Sequence, residues 1–110
     1  MGKELLGELE HQVLLAVVRL GEGAYSASIV DELEARTGRE VAPAAVYIAL
    51  RRLEEKGLAA SQMRPPEGEP SGRERRYFSV EPGGRSLLRE SRRRLVSLWE
   101  GIDEALEEGA

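Results

Sequence analysis

Apolar residues recur along the first twenty positions at helical spacing. Leu6, Leu9, Val13, Ala16, Val17 and Leu20 follow the i, i+3, i+4, i+7 pattern, which predicts a helix over Leu5–Leu20 with one buried side. Gly21 and Gly23 then offer the left-handed backbone on which helices end. Ile29, Val30 and Leu33 predict a second helix from Ser26, its expected N-cap, to Arg36, closed by Thr37 and Gly38. The extended stretch "REVA" (39–42) follows, and Val41 is expected to pin it to the core. A third apolar side, Val46, Leu50 and Leu53, predicts a helix over 43–56. Pro43 suits its first turn, where a missing N–H leaves no bond unmade, and Gly57 suits its end.

The period changes after Gly57. "LAASQMR" (58–64) and "RERRYFSV" (73–80) flank "PPEGEPSG" (65–72), which holds three Pro and two Gly. Such a centre is a loop, so a two-stranded hairpin with a long polar tip is expected. Helical spacing returns near Pro82 and runs to the end. Leu88, Leu95 and Ile102 recur every seven residues, Leu98 and Ala105 follow by three, and Trp99 and Leu106 flank the stripe. A helix of roughly 25 residues spans about 37 Å, more than so small a body covers. The stripe either folds back on its own domain or meets its copy in a second chain. Its length favours a homodimer with Leu88, Leu95, Leu98, Ile102 and Leu106 as the seam.

The order is three short helices, a hairpin and a long helix. The expected fold class is mainly α with a small β-hairpin: a winged helix-turn-helix over 1–80 and a C-terminal dimerisation helix over 81–110. In such folds the third helix enters the major groove of DNA and the wing reaches neighbouring phosphates. At 100° per residue, Ala44, Ile48, Arg51 and Glu55 fall opposite the core side of helix 43–56, with Ala45 and Arg52 beside them. A solvated face would be charged throughout, but this one begins with small and apolar side chains. Ala44, Ala45 and Ile48 permit close approach to a groove and contact with thymine methyls. Arg51 and Arg52 can meet phosphate or guanine, and Lys56 joins the set at the helix end. On the wing, Arg73 and Arg75 are expected on one strand face and Arg76 on the other.

Composition changes this picture at one point. The net charge of −4 is unfavourable for binding nucleic acid, yet its distribution is not. Residues 1–63 carry seven basic and ten acidic side chains, residues 64–94 nine Arg and five acids, and residues 95–110 five acids and no base. Binding follows the local patch more than the total. The 110 residues suit one modest core, and few aromatics make added core by association reasonable. The chain has no Cys, which removes disulfides and thiolate sites. No signal-like leader and no apolar run long enough to span a bilayer are present, so the expected location is the cytoplasm.

Three stretches, "LGELEHQVLLAV" (6–17), "VYIALRRLEEKGL" (46–58) and "GRERRYFSVEPGG" (72–84), resemble the PadR-like transcriptional regulators over nearly the whole chain. The resemblance implies a dimeric winged-helix repressor whose last helix mediates dimerisation, in a compact form. It implies that Tyr47 lies near the DNA backbone, that Arg52 fills a basic position, and that Arg75, Arg76 and Tyr77 match the segment after the wing. "APAAVY" (42–47) lacks the hydroxyl residues that usually precede that Tyr, so operator preference does not carry over. Ser26 replaces a usual Gly, and Glu81 a usual capping Thr. Some relatives take flat aromatic ligands between Trp side chains at the dimer centre. Trp99 stands where such a Trp would, with Asp103 one turn on and Val13 as a wall. The other role open to Trp99 is packing the seam.

An enzyme would need a reactive cluster. The single His, His11, lies in a core-patterned helix, the acids are scattered at helical spacing, and "EPGGR" (81–85) does not match a phosphate loop. No catalytic residue, metal or cofactor is expected. The sequence therefore points to a DNA-binding transcriptional regulator. The alternative is a winged-helix protein-interaction module without DNA binding, which salt dependence separates from the first.

Overall fold

Every apolar stripe of the first 58 residues is spent on one core. The computed structural model describes residues 6–108. Helix α1, Glu8–Leu20, begins three residues later than its period suggested, because Leu6 and Gly7 precede the first helical turn; Leu5 lies outside the described residues. Gly21 has φ 60° and opens a single 3-10 turn, Gly21–Gly23. Helix α2 covers Ser26–Thr37 and ends at the left-handed Gly38. Ser26 is its first residue rather than its cap. Tyr25 holds the N-cap position, and the Ser28 hydroxyl accepts the Tyr25 N–H at 2.9 Å. The reason is spatial: Ala24 and Tyr25 are pulled into extended backbone beside the hairpin, so the helix starts only after them.

Helix α3 covers Pro43–Glu55, with Pro43 in its first turn. It ends on Gly57 (φ 75°), where Leu58 N–H reaches Leu53 O at 2.9 Å and Gly57 N–H reaches Glu54 O at 3.0 Å. These bonds satisfy last-turn carbonyls and turn the chain sharply into the hairpin. Strands β1, Ala59–Arg64, and β2, Arg75–Val80, pair antiparallel from Ala59–Val80 to Arg64–Arg75. The loop between them spans 65–74. Arg73 therefore lies in the tip and not on a strand face, as the alternation suggested. Phe78 N–H donates to Ala24 O at 2.8 Å, so the segment before α2 adds a short third edge to the sheet.

The core joins Val13, Leu14 and Val17 of α1, Ile29 and Leu33 of α2, Val46, Leu50 and Leu53 of α3, and Phe78 of the wing. Val41 packs against it, as the sequence suggested.

The last segment departs most from expectation. It is not one helix of roughly 25 residues. Helix α4 covers Pro82–Trp99, the chain breaks at Glu100–Ile102, and a short helix α5 covers Asp103–Glu108. Gly101 at φ 81° makes the break, since a left-handed residue cannot continue a right-handed helix. The sevenfold recurrence runs across that break, so Leu88 and Leu95 share a helix while Ile102 and Leu106 do not belong to it. The start of α4 is tied down. Glu81 N–H donates to Leu58 O at 2.9 Å, and Gly84 lies so close that a Cβ there would collide with that carbonyl oxygen. Leu87 and Leu88 rest on the core. Farther along, Leu95, Val96, Leu98 and Trp99 are exposed.

Candidate nucleic-acid interface

Helix α3 turns Val46, Ala49, Leu50 and Leu53 inward. Their burial fixes which side chains face out: Ala44, Tyr47, Ile48, Arg51, Arg52 and Glu55, with Ala45 at the margin. Tyr47 and Ile48 keep 49% and 50% of their surface in solvent. Two large apolar side chains on an exposed face are costly without a partner, and their place beside two arginines gives the face its character. Arg51 Nη1 donates to the Tyr47 hydroxyl at 3.2 Å, and the guanidinium lies 5.9 Å from the ring centroid. That hydroxyl bond, followed by the electrostatic effect of Tyr47, raises the Arg51 pKa above its ordinary value.

Two braces hold α3, and neither was legible beforehand. At its C-terminal end Lys56 Nζ meets Glu10 Oε1 of α1 at 2.8 Å, in a largely covered pair. Lys56 is thus turned to the body rather than left free for a ligand, because Glu10, buried on α1, needs a cation. On the other side the Ser61 hydroxyl donates to Glu54 Oε2 at 2.6 Å and accepts from Arg76 Nη1 at 3.0 Å. This chain links the outer helix to the wing, so the two surfaces are positioned together.

The wing cations divide in the same way. Arg73, Arg75 and Arg76 are all exposed. Tyr77 is not: 7% of its surface remains, and it is covered by Tyr25 and by Arg64, whose guanidinium lies 3.8 Å from the Tyr77 centroid. Tyr77 belongs to the packing beneath the wing and not to its outer face. Arg64 donates to the Glu22 carbonyl. Arg75 lies 4.3 Å from the Tyr25 ring, and its bond with the Tyr77 hydroxyl raises its pKa. Sequence reading missed Arg64 and Tyr25 as parts of this arrangement. A cation–tyrosine alternation across three separate segments has no local spacing to reveal it.

A second feature lies on the other side of α1. An open, apolar groove of about 630 Å³ runs between α1 and α4, lined by His11, Leu15, Leu95, Val96, Trp99 and Asp103 among others. Trp99 and Asp103 are therefore brought together. Val13 is not part of the wall; it is fully buried in the core, and Leu15, two residues on and exposed, takes that place. The shift follows from helical geometry, since residues 13 and 15 lie about 200° apart around an α-helix. His11 is half-buried, its Nδ1 3.5 Å from Ser91 Oγ of α4, and burial lowers its pKa. Among the described residues no cluster of His, Cys, Asp or Glu is arranged to hold a metal ion, and no helix is long and apolar enough to cross a membrane.

Known proteins share this family pattern and this fold. The model of the transcriptional regulator PadR-like family matches residues 14–90. The transcriptional regulator Rv3488 of Mycobacterium tuberculosis is 39% identical over 74 residues, which span 67% of this chain and 64% of that protein. The chain thus covers somewhat less than two thirds of that relative. A PadR family regulator from Eggerthella lenta has a solved structure with 30% identity, a TM-score of 0.65, and coverage of 86% of this chain and 80% of its own. A PadR-like regulator from Bacillus cereus shares the fold at 18% identity, with a TM-score of 0.75 over 89% of this chain and 90% of its own.

Proposed function

The chain belongs to the PadR-like family of transcriptional regulators, and from that premise we propose that it is a homodimeric repressor that binds double-stranded DNA in a sequence-specific way. The observation that carries the reading is the outer face of α3. Ala44, Ala45, Tyr47 and Ile48 form a close-approach surface, Arg51 and Arg52 flank it, and the wing arginines Arg73, Arg75 and Arg76 stand beside it on a bonded frame. Small and apolar side chains read thymine methyls and allow the backbone near the bases, while the arginines meet guanine or phosphate. Lys56 contributes only by holding α3.

The division of labour is a DNA-binding body over 1–80 and a dimerising segment over 81–110. The exposed Leu95, Leu98 and Trp99 of α4, with exposed Ile102 and Leu106 beyond the break, support association, since exposed apolar surface of this extent favours a partner. The groove beside Trp99 supports a second element, release from DNA by a flat aromatic ligand stacked on the indole.

Selection of bound duplexes from a randomised library tests the central claim. A recurrent two-fold symmetric site is expected, with affinity falling steeply as salt rises. Recovery of no preferred sequence, together with salt-insensitive capture of another protein, would establish the interaction-module alternative. A reporter placed behind the selected site decides repression, and quenching of Trp99 emission by flat aromatic cations decides the ligand.

A further inference from the structure

The hairpin register sets Arg64 directly opposite Arg75. Two cations facing each other across a strand pair repel, and neither has an acidic partner among the described ion pairs. Each guanidinium lies instead on a tyrosine ring. Arg64 sits 3.8 Å from the Tyr77 centroid and Arg75 sits 4.3 Å from the Tyr25 centroid. The two rings meet edge to face, 5.5 Å apart at 69°. The result is a row across three segments: Arg64, Tyr77, Tyr25, Arg75.

The two ends of the row differ. Arg64 is partly covered and spends a donor on the Glu22 carbonyl. Arg75 is exposed, and its hydrogen bond within the chain, Nη1 to the Tyr77 hydroxyl, is long at 3.5 Å. A guanidinium carries five N–H donors in its plane. Stacking occupies its flat face and leaves the edge donors for another acceptor.

We propose that Tyr25 is a positioning residue for DNA binding, holding the Arg75 guanidinium where the wing's strands meet its tip loop, with its edge outward for a backbone phosphate. This rests on the DNA-binding reading above. A free arginine loses rotamer freedom when a phosphate fixes it, whereas a stacked one has lost part of that freedom on folding. Tyr25 is itself well held. It is the N-cap of α2, its N–H bonds Ser28 Oγ, and its backbone bridges to Tyr77. The stack therefore also fixes the wing relative to α2.

Fluorescence anisotropy on a random-sequence duplex over a series of salt concentrations tests this. For Arg75→Gln the slope of log K against log salt is expected to shrink by about one, the loss of one phosphate contact. Tyr25→Leu, which removes no charge, is expected to keep the parental slope and to weaken binding several-fold at each salt concentration, and Tyr25→Phe to restore the affinity. Adding Tyr25→Leu to Arg75→Gln is expected to cause little further loss, because the two act as one unit. A Tyr25→Leu protein that binds with the parental affinity, or a loss that adds to that of Arg75→Gln, overturns the proposal. If Tyr25→Leu does not fold by circular dichroism, Arg75→Lys decides: it keeps the charge without the flat stack and is expected to bind several-fold more weakly than the parent. Parental affinity in that variant overturns the proposal. Salt-insensitive binding by the parent itself overturns the proposed function, whereas a normal parent with an unchanged Arg75→Gln slope overturns only the role of Arg75 and Tyr25.

Discussion

Helices α1 and α4 carry the same kind of apolar stripe and meet opposite fates. On α1, Val13 and Leu14 are fully buried between α2 and α3. On α4, Leu95 and Trp99 keep 49% and 51% of their surface exposed. The difference does not lie in periodicity. It lies in what stands opposite. By the time α4 leaves Leu88, the body has no remaining element to place against it, so the stripe faces solvent and the open groove beside α1. Periodicity states that a helix has an apolar side, and only packing states what covers it.

The largest way to break this comparison is to hollow both stripes. Leu50→Ala, in the shared core that buries α1, is expected to cost about 2–5 kcal/mol in urea unfolding, whatever the protein concentration. Leu95→Ala is expected to cost much less in dilute solution and to matter only where chains associate, with Leu95→Glu shifting sedimentation toward the single chain. Equal costs for Leu50→Ala and Leu95→Ala at every concentration would mean that the α4 stripe is covered within its own chain. Next in size is Gly84, where α4 leaves the body. Gly84→Ala drives a Cβ against the Leu58 carbonyl and is expected to cost about 1–3 kcal/mol by overpacking, while Gly83→Ala, with only a Leu58 methyl at 3.8 Å, is expected to change little. Comparable melting curves for the two variants would count against the close approach as the anchor of α4.

Surface changes test a finer difference, between residues that hold and residues that contact. Arg51→Ala is expected to leave stability within about 0.5 kcal/mol. It is also expected to weaken binding to the selected DNA site by about 1–3 kcal/mol, read by gel shift. Lys56→Met should do the reverse, lowering stability by stranding Glu10 with little change in salt slope. The smallest effect concerns His11, between the two helices. Burial lowers its folded pKa, so below about pH 6.5 the unfolded chain takes up a proton that the folded chain resists. Stability is expected to fall as pH drops through that value toward the lowered pKa, then to level off. His11→Gln should flatten the slope in melting experiments, and an unaltered slope would assign it to other groups.

Much of the body was readable from local rules. The ends at Gly38 and Gly57, the start at Pro43 and the polar tip between two strands rest on backbone preferences that act within a few residues. The outer face of α3 was readable because the inner face is complete without it. Other features were not. Ser26 has the chemistry of a cap, but the sheet edge formed by Ala24 and Tyr25 moved the helix start. Tyr77 and Lys56 have the chemistry of contacts, yet packing turned one under Arg64 and the other toward Glu10. Gly101, whose left-handed backbone breaks the last helix, lies inside a sevenfold apolar recurrence that runs across it and does not register the break.

The sequence by itself determined the element order as far as the start of α4, the core side of each of the first three helices, the basic wing and the family. These depend on periodicity, on turn chemistry and on motifs, all written within short windows. The tertiary structure decided which cations are free and which are engaged, how α3 and the wing are joined through Ser61, and which side of α1 lines a groove. The physical reason is reach. A hydrogen bond from Lys56 to Glu10 or a stack of Arg75 on Tyr25 joins residues about 50 positions apart in the chain, and no local propensity records such a pair.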